Sequence, residues 1–418
     1  MSSLISFENR GIFDDIDTRY NFGILSFKNG GTTDTVPGIF QHTDLGILDN
    51  RDEWIDISRQ ILTDFAPSSL LFPRIQAVED LEVLRTTVTK PAVGDKTRSW
   101  YAQPTRPLDK TADSERFFDE PDGCDYPILT GRNFYNFCHD NRFVDDLEPP
   151  FQWSVDEEKN PERSAKLRIR EKKVKHLKRR LYEEFDGSGS MKGFVNDLLE
   201  ETRGAALLTD DVLLPSTTYR LGFRRVARGS DERSMIAAVV LPEPVYDYSF
   251  YVVEPFEIHA TKENLTEYPL HEVHKPIFSD QELFVALGLL NSIPFDFIIR
   301  RKVDNSIPIY SFKETQVPDL TNGDDWFEYI WRRAARLNCY SEAFAEMRER
   351  LGGIEPAADP DEREVVQAEL DAAAFHAYGL DREQTAFVLE DFHRVRSPRR
   401  MTDEYFEVVL SKYDELGG

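Results

Sequence analysis

The chain has 418 residues, too many for one ordinary hydrophobic core, so two or three domains are expected and a single compact sandwich is excluded. With 40% hydrophobic, 12% aromatic and 30% charged residues, the composition is that of a globular protein rather than a disordered one. Its 76 Asp and Glu against 51 Lys and Arg leave a net charge of -25, which on its face argues against binding a polyanion such as DNA.

Residues 22–27 run apolar and stop at Asn29-Gly30-Gly31, the pattern of a strand entering a tight turn. Over 51–89 the periodicity becomes helical, at 55–65 and again at 78–84 after Pro73. From 100 to 312, short β-like runs alternate with turns, at 126–129, 218–223, 235–241 and 249–253. Two helices interrupt this β-rich body. The first, over 162–184, carries ten Lys or Arg between Arg163 and Arg180 with Glu171 as the one acid among them. Leu167, Val174, Leu177 and Leu181 give it one apolar stripe. The second, over 279–302, opens with Ser279 as N-cap and Glu282 three residues on, a capping box ahead of an apolar run. The last hundred residues read as helices at 326–351, 361–378, 381–392 and 402–415, with Gly352 and Gly379 as stops for the first two. The fold class expected is α+β, a β-rich domain with helical insertions and a helical C-terminal tail.

Cys124, Cys138 and Cys339 are too few and too scattered for a disulfide framework or a four-ligand zinc site, which points to a reducing compartment. The longest apolar stretch, 283–290, is soon broken by Pro294, far short of the roughly 20 residues a membrane helix needs. The opening residues lack the basic stretch and apolar run of a signal peptide. A cytoplasmic chain with no membrane partner is expected.

Familiar catalytic patterns are missing: no Walker loop, no Gly-x-Ser-x-Gly elbow and no His-Glu-x-x-His occurs. Cys138-His139-Asp140 sets a thiol beside an imidazole, but reads better as a buried Cys next to a surface His and Asp. His271, Glu272 and His274, with Glu254 and His259, resemble a metal set only in composition, and no metal site is expected. The acidic runs 145–146 and 359–364 read as solvated faces or helix starts. The basic helix is more informative, because it gathers cations that the rest of the chain avoids. Its alternative is a solvated helix whose cations pair with acids elsewhere. A second cluster comprises Arg220, Arg224, Arg225, Arg228 and Arg233, with Asp231 and Glu232 as possible internal partners.

Several segments, in order, resemble the C-terminal half of the large adenine-specific DNA methyltransferases of type IIG restriction-modification and related phage-defence systems. They are 6–31 (SFENRGIFDDIDTRYNFGILSFKNGG), 65–84, 126–137 (YPILTGRNFYNF), 219–241 (YRLGFRRVARGSDERSMIAAVVL), 289–318 and 372–392. Asp231-Glu232-Arg233-Ser234 stands where the family has an Asn-Glu-Arg-Thr-like element. The family's catalytic Asn-Pro-Pro-Tyr or Phe motif and its Gly-rich S-adenosylmethionine motif are absent; the nearest string is Glu148-Pro149-Pro150-Phe151. The resemblance therefore implies the end of a methyltransferase-like catalytic sheet over 1–50, a linker over 51–110, and a DNA target-recognition domain over 111–320 with the basic insert at 160–185. A helical region over 321–418 completes it. It implies double-stranded DNA as a partner and a separately encoded catalytic subunit that binds S-adenosylmethionine, with no cofactor on this chain and residues 1–50 as the docking surface. An inactive remnant, or a regulatory protein that binds a methylase or nuclease without reading DNA, is the rival expectation.

The candidate DNA contacts are Arg168, Lys172, Lys175 and Arg179, near one face of the basic helix, together with Arg224 and Arg233 from the family-like element. The acid excess also suits a halophilic source, whose salt-rich cytoplasm would leave base contacts and DNA shape to carry affinity.

Overall fold

The computed structural model describes residues 2–17, 20–144, 147–392 and 398–417, so the acidic pair at 145–146 lies outside the described residues. Strands β1 (Ser3–Glu8) and β2 (Asn21–Ser26) form an antiparallel hairpin, and β3 (Thr35–His42) runs parallel to β1 on its other side. Strand β4 (Ile55–Ser58) completes the sheet in the order β2-β1-β3-β4. Residues 55–58, expected as helix, are extended: Ile55 and Ile57 are buried while Asp56 between them is exposed. The helix starts only at α1 (Arg59–Phe65), where the Ser58 hydroxyl accepts the Ile61 N–H at 3.2 Å. Helix α2 (Val78–Thr87) follows.

The middle of the chain supplies β5 (Pro104–Thr105), β6 (Tyr126–Leu129), β7 (Gln152–Ser154), the basic helix α3 (Ala165–Glu184) and α4 (Met191–Arg203). Then come β8 (Arg220–Arg224), β9 (Ala237–Val240), β10 (Val245–Tyr246), β11 (Phe250–Val253), β12 (Phe256–Ile258) and β13 (His274–Pro276). They form separate small sheets, ordered β5-β11-β8-β9, β10-β6-β7 and β12-β13. The class is mixed α+β, with 42% helix and 14% strand, so the body is less β-rich than the sequence suggests. The insert is a two-helix unit, because Leu177 and Leu181 of α3 bury against Val195 and Leu199 of α4, a helix additional to those read from the sequence.

The run expected as one helix over 279–302 is two, α5 (Asp280–Leu290) and α6 (Ile293–Arg300), bent by 60° at Asn291-Ser292. Every residue from 283 to 300 is buried. The remaining helices are α7 (Ile309–Lys313), α8 (Asp325–Asn338), α9 (Ala345–Arg350), α10 (Pro360–Tyr378), α11 (Arg382–Asp391) and α12 (Asp403–Gly417). Helix α8 packs on α5 at Gly288, where a Cβ would sit 2.7 Å from Ile330; only the missing side chain lets the two helices approach so closely. No single helix among the described residues is long and apolar enough to cross a membrane.

Two large cores result. One joins β8, β9 and β11 to α5 and α8. The other joins Ile57, Phe65 and Leu84 to Phe297 of α6, Phe375 and Tyr378 of α10, and Phe406 of α12. Much of the segment expected as a linker is thus built into a core with the C-terminal helices, and the expected boundary at 50 and 51 falls inside the first sheet.

Strand β9 is the last strand of its sheet, and its outer edge is closed by side chains. Asn291 Oδ1 accepts the Ala237 N–H and its Nδ2 donates to the Ala237 carbonyl, both at 2.9 Å. Asn338 does the same for Val239, at 3.0 Å each way. Each amide reproduces the donor and acceptor of a neighbouring strand, which satisfies backbone groups that burial would otherwise strand. Asn338→Ala should therefore destabilise the fold by about 1–3 kcal/mol for each of the two groups left unpaired. Urea unfolding measures this, and a midpoint equal to that of the parent chain would rule it out.

Candidate nucleic-acid interface

Helix α3 starts at the Ser164 cap, whose hydroxyl accepts the Leu167 N–H at 3.3 Å, and its apolar stripe settles it on α4. The four candidate cations do lie along one face, but that face is shared between protein and solvent. Near its beginning, the helix runs beside residues 107–113. Arg168 Nε meets the buried Asp113 carboxylate at 2.8 Å, and Lys172 Nζ meets it at 2.9 Å while donating to the Pro107 carbonyl at 3.0 Å. Burial alone would raise the Asp113 pKa, but the hydrogen bonds from Lys172 and Arg168 and the Lys172 charge outweigh it and hold the carboxyl below its usual range.

Other cations of α3 are also engaged: Arg170 with Glu157 at 3.1 Å, Lys173 with Glu254, and Arg180 with Glu183 at 3.1 Å and Glu184 at 3.2 Å. Past residue 174 the face opens to water. Lys175 is exposed, and neither it nor the half-buried Lys178 has a partner among the described residues. Arg179 is 70% exposed and among the described residues meets only Glu183, one turn along, at 2.8 Å.

The second cluster is dispersed by the fold. Arg220 is buried and donates to the carbonyls of Leu241 at 3.1 Å and Pro244 at 3.2 Å. Arg224 donates to the Phe134 carbonyl and lies 5.7 Å from the centre of the Tyr135 ring. Arg225 sits 5.8 Å from the Tyr248 ring centre. Arg228 is exposed, and its guanidinium has no partner among the described residues.

Arg233, taken from the sequence as a DNA candidate, is placed instead in the interior. Its side chain is 1% exposed, its Nε lies 3.1 Å from Asp296, and it donates to the Asn291 carbonyl. Asp296 also receives Arg300 at 2.8 Å and the N–H groups of Ser234 at 3.0 Å and Met235 at 3.1 Å. Next to this joint, Glu232 Oε1 accepts three successive N–H groups, from Arg399, Arg400 and Met401, at 2.9, 2.6 and 2.8 Å. On its far side, buried Asp371 accepts from the Ile293 N–H at 2.8 Å and the Tyr405 hydroxyl at 2.6 Å. Sequence reasoning missed the parts played by Asp113, Glu232 and Asp371. The sequence signals Glu232 as a possible internal partner of the arginines and, with Arg233, as part of a family-like element, but not its bonds to the N–H groups of 399–401.

The catalytic lookalikes are inert in form. Cys138 is buried, and burial pushes its thiol pKa up, away from thiolate. His139 stacks on Tyr340 with ring centres 4.6 Å apart, and burial brings its pKa down to about 4. His274 is lowered to about 4 by burial as well, and its Nδ1 lies 3.0 Å from the Leu270 carbonyl. Among the described residues no group of three or more His, Cys, Asp or Glu is placed to hold a metal ion. Glu148 pairs with Arg132 at 3.0 Å in the loop ahead of β7, so Glu148-Pro149-Pro150-Phe151 is an irregular surface segment with an exposed ring.

No protein-family model matches the chain, and no curated protein matches it. Among solved structures, it is similar to the type IIL restriction-modification enzyme MmeI in complex with DNA, at 12% identity and a TM-score of 0.37. That similarity covers 86% of this chain and 41% of the other, so this chain spans less than half the length of that protein.

Two outcomes follow from the interior placements. Arg233→Met should cost about 3–5 kcal/mol in denaturant unfolding, because it strips a partner from a buried carboxylate; Lys175→Met should leave the midpoint where it is. The pKa of Asp371 is raised from 3.8 to about 6, chiefly by burial. Its contribution to stability is therefore fully present below pH 4 and is lost as the pH rises through 6. Asp371→Asn should remove that fall, so melting temperatures of parent and variant should diverge between pH 4 and 7; parallel curves would refute the assignment.

Proposed function

We propose that this chain is the DNA sequence-recognition part of a site-specific adenine-N6 DNA methyltransferase within a restriction-modification system. A separately encoded catalytic subunit would bind S-adenosylmethionine and transfer the methyl group. The observation that carries this reading is the convergence of the elements on which the family resemblance rests. Asp231-Glu232-Arg233-Ser234 meets Asn291 and Asp296 through side-chain and backbone bonds across more than fifty residues of sequence. Matches arising by chance have no reason to meet in one joint. Lys175, Lys178 and Arg179 are the phosphate contacts in this reading, while Arg168, Lys172 and Arg233 support the fold.

Strand β2 suits the catalytic subunit. It lies at the edge of its sheet, and Ile24 and Leu25, on opposite faces, are each about half exposed, at 51% and 50%. A strand apolar on both faces belongs inside a sheet, so a partner strand added to this edge would cover it.

The internal pairing along the first half of α3 favours a second reading, a regulatory protein that binds a methylase or nuclease without contacting DNA. Duplex affinity measured across a salt series separates the two. Replacing Lys175, Lys178 and Arg179 together by Glu should abolish specific binding and flatten the salt dependence by about 0.9 for each phosphate no longer neutralised. Unchanged affinity and slope in that variant would exclude the ridge as a DNA contact; only a parent chain with no specific duplex affinity would leave the regulatory reading.

A further inference from the structure

We infer that a cleft distant from the α3 ridge is a binding site for phosphate groups. It has a volume of about 880 Å³ and lies where the β1–β2 hairpin, the segment entering α2, the turn after β8 and the end of α6 come together. Across the whole chain acids outnumber bases by 76 to 51, yet among the described residues five arginines line this cleft against four carboxylates, and no lysine does.

The arginines are Arg10, Arg74, Arg228, Arg300 and Arg301. The four carboxylates are all spent on them: Glu8 pairs with Arg10 at 2.9 Å, Asp304 with Arg74, and Asp80 and Asp391 with Arg301 at 2.5 and 3.4 Å. Arg300 is held from behind by Asp296. That leaves the guanidinium of Arg228 without a partner among the described residues, and the Nε of Arg301 buried with none. The turn that carries Arg228 fits against the wall through Gly229, where a Cβ would lie 3.0 Å from the Arg300 carbonyl oxygen and 3.3 Å from Arg74.

With the other arginines held in place by carboxylates, the unpaired Arg228 guanidinium is the group of this cleft that is left to attract an anion. Guanidinium forks in place of ammonium groups select pairs of anionic oxygens, and the volume of the cleft leaves room for several of them, as on phosphates. Two sources share that chemistry, the backbone of a nucleic acid and a free nucleotide. The inference rests on the cleft itself and stands or falls separately from the reading of the α3 ridge.

The test uses the full chain with a short DNA duplex, followed by fluorescence anisotropy, and adenosine triphosphate without added metal, followed by calorimetry. Arg228→Glu and Arg10→Glu should each weaken at least one probe about tenfold; for the duplex the salt slope should become shallower by about one. Arg228→Lys should recover part of the loss, keeping the charge but not the fork. Because the Arg228 guanidinium has no partner among the described residues, the melting temperature of Arg228→Glu should not move, which separates lost binding from lost folding. A loss confined to the duplex assigns the site to nucleic-acid backbone, and one confined to the nucleotide assigns it to free nucleotide. The inference is overturned if the parent chain binds neither probe, or if both charge reversals leave binding unchanged. Duplex binding abolished by the α3 substitutions but indifferent to Arg228→Glu removes the cleft and leaves the DNA-recognition reading intact.

Discussion

The buried carboxylate of Asp296 is the constraint around which the centre of the molecule is arranged. An isolated carboxylate costs several kcal/mol to bring out of water, so burial demands charged and hydrogen-bonding partners in fixed places. Here two guanidiniums and two backbone N–H groups supply them, drawn from the segment between β8 and β9 and from α6 itself. The position of that segment relative to α6 is thereby fixed. Glu232 beside it extends the constraint to the start of the C-terminal helix, because one carboxylate oxygen gathers the N–H groups of 399, 400 and 401. Such an arrangement of successive N–H groups is an anion-binding nest filled by the chain's own acid.

The asparagine-capped edge of β9 depends on the same joint. Asn291 stands at the bend between α5 and α6, and its carbonyl accepts from Arg233 while its side-chain amide serves Ala237. The bend is therefore a working part of the sheet edge. It turns α6 toward the second core, where Phe297 and Ile298 join residues from both ends of the chain. A charge pair, a helix bend and a strand edge are three aspects of one placement, and the arginine-lined cleft lies beside it because the buried Arg300 and Arg301 sit at the end of the same helix.

Much of the local structure was legible in the sequence. Strand β6 falls on the residues read as a strand, a short apolar run followed by a turn signal, and the basic helix begins and ends within a few residues of its expected span because it carries one apolar stripe on an otherwise charged surface. The errors have equally local causes. Ile55, Ile57, Ile61, Leu62 and Phe65 satisfy a helical period and a strand period in turn, and only the Ser58 cap divides them. The stretch 283–290 is apolar on every side, so periodicity could not show where the helix ends, and the bend is marked only by Asn291-Ser292 and Pro294 after it. The candidate site was legible only as composition. Whether a cation on α3 faces water or a carboxylate depends on residues 113, 157 and 254, and nothing near α3 in sequence announces them.

This last point changes what the net charge of -25 means. The acid excess is not a uniform repulsive coat, since acids from several segments are spent on the first half of α3 and on four of the cleft arginines. Paired charges cancel at short range, and beyond about 10 Å salt screens what remains. What an approaching anion meets is therefore set by the cations that pairing leaves over, among them Lys175 and Lys178 beside the exposed Arg179 at one place and Arg228 at another. Net charge then governs solubility and long-range encounter, while local residues of opposite sign govern contact. A strongly acidic chain can bind a polyanion wherever its own acids have been used up elsewhere.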